Sequence, residues 1–400
     1  MTSDQSEHLD GIASGGSKGD ILIVDDTPAN LRLLSQMLIE HGFQVRPVPD
    51  GALALAAVEV EPPDLILLDI RMPEMSGYEV CERLKADSKT ADIPVIFISA
   101  LDAVQDKIKA FATGGVDYVT KPFRIEEVLA RVETHLVLRR LQERLQAANK
   151  RMERELTLAA EVQAGFMPRA LPDLPGWDLS VVLRPARETS GDFYDFYQLP
   201  AGRLGIVVAD VVDKGVGAAL FMALSWSLLR THAAEYADQP VRVFDAVNHC
   251  IQHDTSVLQF VTVFYGILDP AAGRLRYCNA GHCPAYLFRA ARPQRVETLA
   301  PTGAALGLLD GMSWTERSVQ LAAGDLLVLY TDGITEACSE RDELFGGERL
   351  LASVRSCLAT ANRPELSARQ VQDAILRDVL QFAGNAPQSD DIALAVLMAR

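Results

Sequence analysis

Between residues 20 and about 122, short runs rich in β-branched residues recur with helix-length spacers: ILIV (21–24), LILL (65–68), VIFI (95–98) and VDYV (116–119). Each run has strand length. The spacers 28–41, 51–60, 76–86 and 103–113 carry helical periodicity, and 43–48 fits one further strand. This alternation leaves few folds open. Strand, helix and strand in succession pack as a doubly wound α/β unit, a parallel sheet with helices on both faces. The carboxyl ends of such strands line one crevice.

Polar residues occupy those ends. Asp25 and Asp26 follow the first run, Asp69 the run at 65–68, Ser99 the run at 95–98, and Lys121 the last. Acids at one strand edge can hold Mg2+, a serine there can hydrogen-bond a phosphate oxygen, and a lysine can pair with its charge. Two like charges about 5 Å apart repel by roughly 3 kcal/mol at an effective dielectric of 20. Clustered carboxylates therefore need a metal or a proton.

From about 124 there is no glycine or proline until Gly165. Leu138, Leu141, Leu145, Ala148, Met152, Ala159 and Val162 fall mostly at steps of three and four, a heptad-like stripe interrupted at Glu155. The pattern predicts a long helix or coiled coil, with a monomeric helix packed on its own domains as the alternative. Leu156, Ala159, Val162 and Phe166 read as a packing face at its end.

Beyond Pro168 the texture changes to strands punctuated by glycine and proline: 179–184, 193–199, 204–211, 260–268, 274–279, 284–289, 315–319, 325–331 and 391–398. Helices fit 215–235, 240–254, 347–357 and 365–382, so an α+β β-sandwich is expected. Here too acids stand at strand ends: Asp192, Asp210, Asp332 and Asp390. Four carboxylates without histidine or cysteine partners favour hard divalent ions over zinc. Two metals sharing a carboxylate suit phosphoester hydrolysis.

Composition narrows the partners. A chain of 400 residues suggests two or three domains, and a net charge of −16 repels nucleic acid and anionic lipid. The six cysteines show no disulfide framework and read as reduced thiols; Cys278, His282 and Cys283 lack the rest of a zinc ligand set. Residues 1–18 read as a disordered tail, with no apolar core for a signal peptide. The longest uncharged stretch, Gly215 to Leu229, is short of the roughly 20 residues of a membrane span and predicts a buried helix. A cytoplasmic protein is expected.

With Asp25, Asp26, Asp69, Ser99 and Lys121 in place, residues 19–125 resemble the CheY-like receiver domain of two-component response regulators. The resemblance implies that Asp69 is the phospho-acceptor. Asp25, Asp26 and the backbone carbonyl of Arg71 would bind Mg2+, Ser99 and Lys121 would read the phosphate, and Tyr118 would be the switch aromatic. Lys121-Pro122 matches the usual cis-proline turn of that family.

The motifs PARETSGDFYDF (185–196), ADVVDKGVGAAL (209–220), FVTVFYGILDP (260–270), NAGHCP (279–284), YTDGITEA (330–337) and SDDIALAVL (389–397) occur in the order found in another family. They make residues 155–400 resemble the PPM-type, protein phosphatase 2C-like serine/threonine phosphatases of the SpoIIE-type branch. The resemblance implies that Asp210 bridges two Mn2+ or Mg2+ ions, with Val211 lending a backbone carbonyl. Asp332 and Asp390 would hold one metal, and Asp192 would serve the other. Ser190 and Ala393 depart from the common glycine and threonine of that family, without removing a ligand. Asp213 reads as a helix N-cap, Asp391 as either an outer supporting group or a solvated acid, His282 as either a phosphate neighbour or a structural histidine, and Arg187 as a surface residue or a phosphate contact.

The expected organisation is a tail (1–18), a receiver (19–125), a helical linker (126–167) and a phosphatase domain (168–400). The expected protein is a response regulator, phosphorylated by an upstream histidine kinase and homodimeric through its linker. Its output would be hydrolysis of phosphoserine or phosphothreonine on a partner protein. Family resemblance suggests an anti-sigma-factor antagonist of the STAS type, in a partner-switching pathway. The competing expectation is a catalytically weak phosphatase fold that sequesters or delivers a partner under receiver control.

Overall fold

Strict alternation of apolar runs and helical spacers does build a parallel sheet. A computed structural model describes residues 17–100, 104–168, 170–254, 259–292, 295–360 and 366–400, so nearly all of the expected tail lies outside the described residues. The chain divides into two compact units, the first ending at Arg151 and the second running Met152–Arg400.

In the first unit, β1 (Asp20–Val24), β2 (Gln44–Val48), β3 (Leu65–Asp69), β4 (Val95–Ser99) and β5 (Asp117–Thr120) pair in the order β2-β1-β3-β4-β5, all parallel. The central runs are apolar at every position because helices cover both faces. Leu22, Val24, Ile66, Leu68 and Phe97 share a core with α2 (Gly51–Val60) and α3 (Gly77–Ala86), together with Ala110 of α4 (Val104–Ala112). Ile21, Ile23, Leu65, Leu67 and Ile98 face α1 (Pro28–Glu40) and the start of α5 (Ile125–Ala164). A reversal of strand order between β1 and β3 opens the crevice at their carboxyl ends. Ser76 and Glu79 form a reciprocal capping box that starts α3, and Asp50 caps α2 through the Leu53 amide. Gly77 needs its missing side chain, since a Cβ there would meet the Asp69 carbonyl oxygen at 2.2 Å.

Helix α5 runs unbroken for 40 residues through Glu155, and the boundary between the units falls within it. Leu138, Leu141, Leu145 and Met152 of its stripe are each more than half exposed. Val162, expected on a packing face, is also exposed, whereas Phe166 beyond the helix stacks edge-on against Trp226.

The second unit contains β6 (Trp177–Arg184), β7 (Phe193–Leu199), β8 (Arg203–Val211), α6 (Val216–Glu235), α7 (Pro240–Asp254), β9 (Val261–Asp269) and β10 (Arg274–Ala280). It continues through β11 (Ala285–Phe288), β12 (Val296–Leu299), β13 (Arg317–Gln320), β14 (Leu326–Tyr330), α8 (Asp332–Thr335), α9 (Gly346–Thr360), α10 (Ala368–Ala383) and β15 (Ile392–Ala399). Two five-stranded antiparallel sheets result, β13-β10-β9-β8-β7 and β12-β11-β14-β15-β6. Phe196, Ile206 and Phe264 of the first sheet pack on Leu287, Leu329 and Ala395 of the second. The outer faces bury Phe193, Val207 and Val263 under α6 and α7, and Val328, Leu394 and Val396 under α9 and α10. The layers therefore run helix, sheet, sheet, helix, the expected α+β sandwich. Strand β12 was not expected, and α10 starts later than anticipated because Ser367 and Gln370 form its capping box. Among the described residues, no helix is long and apolar enough to cross a membrane.

One core group titrates with the fold. Asp195 of β7 is 2% exposed and pairs with Arg230 of α6 at 3.2 Å. Burial pushes its carboxyl up to about 6 in spite of the arginine. A raised native value means that the stability it contributes is complete below the unfolded value of 3.8 and is lost as pH climbs through about 6. Asp195→Asn lacks that dependence. Its stability relative to the unsubstituted chain should rise by up to about 3 kcal/mol across that window, read from urea midpoints; a pH-independent difference would contradict the assignment.

Candidate functional site

The crevice of the first unit gathers the acids that the strand pattern places there. Asp25 stands just past β1 and is fully buried; it accepts hydrogen bonds from the Thr27 amide at 2.9 Å and from Asn30 Nδ2 at 3.0 Å. Asp26 is exposed and takes the Thr27 hydroxyl at 3.2 Å. Asp69 ends β3, where the Arg71 amide donates to its Oδ1 at 3.3 Å. Lys121 places its Nζ 2.8 Å from Asp25 Oδ2 and 2.6 Å from Asp69 Oδ2. The Lys121 amide donates to the Ser99 carbonyl at 2.8 Å, so adjoining strands carry both residues to one edge. The Lys121-Pro122 bond is cis. Tyr118 meets the Phe111 ring edge-on, with Lys107 and Arg131 over its faces.

Burial first, with help from the Asp25 charge, raises the Asp69 carboxyl above its usual range, while Lys121 opposes the shift. The lysine is held above its own ordinary value: burial works against it, but the two carboxylates outweigh that effect. One oxygen from each of Asp25, Asp26 and Asp69 lies within 4.8 Å of the others. This convergent all-oxygen set fits a hard divalent cation.

In the second unit, the four expected acids also converge from strand ends. Asp192 precedes β7, Asp210 is the penultimate residue of β8, Asp332 opens α8 after β14, and Asp390 precedes β15. Asp192 is buried, and its Oδ2 accepts the Thr331 hydroxyl at 2.6 Å. Burial and then the Asp210 charge push the Asp192 carboxyl well up; burial and then Asp332 do the same to Asp210. Asp332 rises through burial, Glu336 and Asp390, with Lys214 opposing. Lys214 Nζ lies 2.9 Å from Asp390 Oδ2 and 2.6 Å from the Ser389 carbonyl. This cluster is wider than the first: among the described residues, only Asp25, Asp26 and Asp69 form a mutual 4.8 Å group. Excess negative charge in a partly buried oxygen-donor cluster fits divalent cations spread over it.

The backbone around the cluster is tightly fastened. Asp391 is buried and spends both carboxylate oxygens on amides, Ala186 at 2.7 Å and Gly191 at 2.8 Å, so it is a supporting group and not a solvated acid. A Cβ on Gly191 would come within 3.1 Å of the Val211 carbonyl oxygen, the backbone atom expected to face a metal. Gln163 of α5 brackets Ser190, receiving its amide at 2.9 Å and donating to its carbonyl at 2.5 Å. Thr331 and Gln163 were not expected. Thr331 had a weak signal, as the hydroxyl residue beside Asp332, and Gln163 as the polar residue inside an apolar helix face.

One expectation is revised. Asp213 does not cap α6; Gly215 stands at the cap, while Asp213 has a φ of 84° and its carboxylate takes the Lys214 amide. His282 is structural: it is buried, with Nδ1 2.8 Å from the Thr262 hydroxyl, and burial lowers its imidazole to about 4. Cys283 lies close enough to feel Asp332 and Asp210, and burial first of all lifts its thiol to about 12.

The parallel receiver-type sheet, the long helix and the four-layer sandwich together define a response-regulator architecture joined to a phosphatase fold. The chain belongs to the SpoIIE family: the family model for Stage II sporulation protein E matches residues 200–400, and that for the response regulator receiver domain matches residues 21–133. Among curated proteins, Protein IcfG of Synechocystis sp. is 33% identical over 267 residues, covering 60% of this chain and 40% of that protein. The DNA-binding dual master transcriptional regulator RpaA of the same organism is 47% identical over 128 residues, covering 32% of this chain and 52% of its own. The chain thus spans about half or less of the length of these relatives. Among solved structures, the SiaA-PP2C domain of Pseudomonas aeruginosa shares the fold, with a TM-score of 0.54 at 22% identity, over 63% of this chain and 98% of that one.

Gly333 supplies a test of the close packing behind the second cluster. A Cβ there would lie 1.9 Å from the Asp391 carbonyl oxygen. Gly333→Ala should lower stability by about 1–3 kcal/mol, as other overpacked sites do. A urea midpoint equal to that of the unsubstituted chain would show that the two segments do not meet.

Proposed function

We propose that this chain is a response regulator whose output is metal-dependent hydrolysis of phosphoserine or phosphothreonine on a partner protein. The observation that carries the reading is the second acidic cluster, where Asp192, Asp210, Asp332 and Asp390 reach one place from four separate strand ends. Binding a partner does not require four mutually repelling carboxylates in one partly buried place. In this reading Asp210, with the Val211 carbonyl, would contribute to holding two Mn2+ or Mg2+ ions, Asp332 and Asp390 would hold one of them, and Asp192 would serve the other. Such ions, when bound, bind the phosphoryl group and lower the pKa of the attacking water. Thr331 orients Asp192, Asp391 holds the loop before it, and Lys214 balances Asp332 and Asp390.

The first unit supplies control. Asp69 would accept a phosphoryl group from an upstream histidine kinase, Asp25, Asp26 and the Arg71 carbonyl would hold Mg2+, and Ser99, Tyr118 and Lys121 would respond to the phosphate. The exposed stripe of Leu138, Leu141, Leu145 and Met152 supports a homodimer through the linker. The substrate we assign is an anti-sigma-factor antagonist of the STAS type, within a cytoplasmic partner-switching pathway. The boundaries we assign remain a receiver over 19–125, a linker over 126–167 and a phosphatase domain over 168–400.

Two measurements test this reading. Purified protein with Mn2+ should release phosphate from a phosphoserine peptide, and Asp210→Asn should cut kcat on the order of a hundredfold or more; equal rates would refute the enzyme. Incubation with acetyl phosphate should produce a phosphoprotein labile to alkali and hydroxylamine, seen as a shift on phosphate-affinity gels. Asp69→Asn should abolish that shift, and a shift that persists would move the acceptor elsewhere.

A further inference from the structure

The last helical turn of α5 ends on the backbone that leads into the second acidic cluster. Gln163 uses both ends of its amide on one residue, accepting from the Ser190 N–H at 2.9 Å and donating to the Ser190 carbonyl at 2.5 Å. This is the hydrogen-bond pattern of a strand neighbour, supplied by a side chain. Ser190 is almost fully buried, so its two backbone groups have no water to turn to if the amide is withdrawn. The Ser190 hydroxyl then donates to the Asp192 carbonyl at 3.1 Å, and the Gly191 amide goes to Asp391. The approach to Asp192 is thus held from two sides, by α5 and by the segment leading into β15.

The helix end is itself pinned. Phe166, three residues past Gln163, packs edge-on against Trp226 of α6 at 5.2 Å, and Met167 packs on the core beneath α6 and α7. On the other side, Leu158 and Val162 are exposed. A helical residue turns through about 100°, so a register change of one residue would withdraw both hydrogen bonds of Gln163 together.

We propose that Gln163 is a positioning residue that sets the metal affinity of the second cluster by fixing the loop that carries Asp192. The inference rests on the phosphatase reading and adds to it a residue outside the strand-end acids. Gln163 touches no reacting atom in this arrangement. It acts through Ser190, in the manner of outer groups that orient ligands and whose loss weakens metal binding about 10- to 100-fold.

The test is Mn2+ binding to the full chain by titration calorimetry, in an Asp26→Asn background that silences the first site. The heat removed by Asp210→Asn is the second site's. Gln163→Met keeps length and apolar packing but loses both hydrogen bonds. It should weaken that heat's Kd at least about tenfold and raise the Mn2+ needed for half-maximal hydrolysis, while kcat at saturating Mn2+ stays near native and the thermal midpoint falls, because two buried groups of Ser190 lose their partner. Gln163→Glu, which keeps the acceptor but sets a carboxylate oxygen against the Ser190 carbonyl, should weaken binding at least as much. Leu158→Ala, exposed on the same helix, should leave it unchanged. Native Mn2+ affinity in both Gln163 variants would overturn the inference alone, as would weakening matched by Leu158→Ala. Heat that does not respond to Asp210→Asn would overturn the metal reading and this inference with it.

Discussion

The acidic edge of the second unit depends on Asp391 giving both carboxylate oxygens to backbone amides, those of Ala186 and Gly191. A buried carboxylate must find donors, and these two amides saturate it. One acid of the cluster is thereby committed to shape. Its neighbours Asp192 and Asp210 are left with mutual repulsion and raised affinity for protons. The division of labour among chemically identical groups follows from which of them the backbone satisfies.

The two units resolve crowded negative charge differently. The first keeps a lysine within 3 Å of two of its acids, Lys121 against Asp25 and Asp69, and leaves Asp26 open to solvent. The second surrounds its acids with apolar strands and sets Lys214 only at its rim, against Asp390. A compensated site can remain poised when small changes of charge are the signal. A site short of positive charge has a standing attraction for cations.

Most of this was legible in the sequence where a pattern repeats locally. The runs at 21–24, 65–68 and 95–98 became central strands, and each carried its polar residue to the expected edge, because alternating βα order and strand-end placement are short-range properties. Strand β12 escaped notice because Val296–Leu299 has a glutamate and a threonine in the middle and no apolar run. Gln163, Thr331 and Asp391 act on residues from 27 to 205 positions away, and no local spacing reports such partners. Asp213 looked like a helix cap, but its positive φ and the turn through Gly215 moved the helix start beyond its reach.

The register of the sandwich in the second unit has a bearing on how the chain comes into being. Strand β6 has β15 as its partner throughout its length, and the bond from Gly191 to Asp391 closes a loop of 200 residues. Parallel neighbours in the first unit are separated by a single helix, or for β1 and β3 by two helices and a strand, so that unit can assemble while synthesis continues. The phosphatase fold must wait for its final strand. Until residue 391 has left the ribosome, the loop before Asp192 lacks its anchor, and a nascent chain holds a finished receiver without a working output.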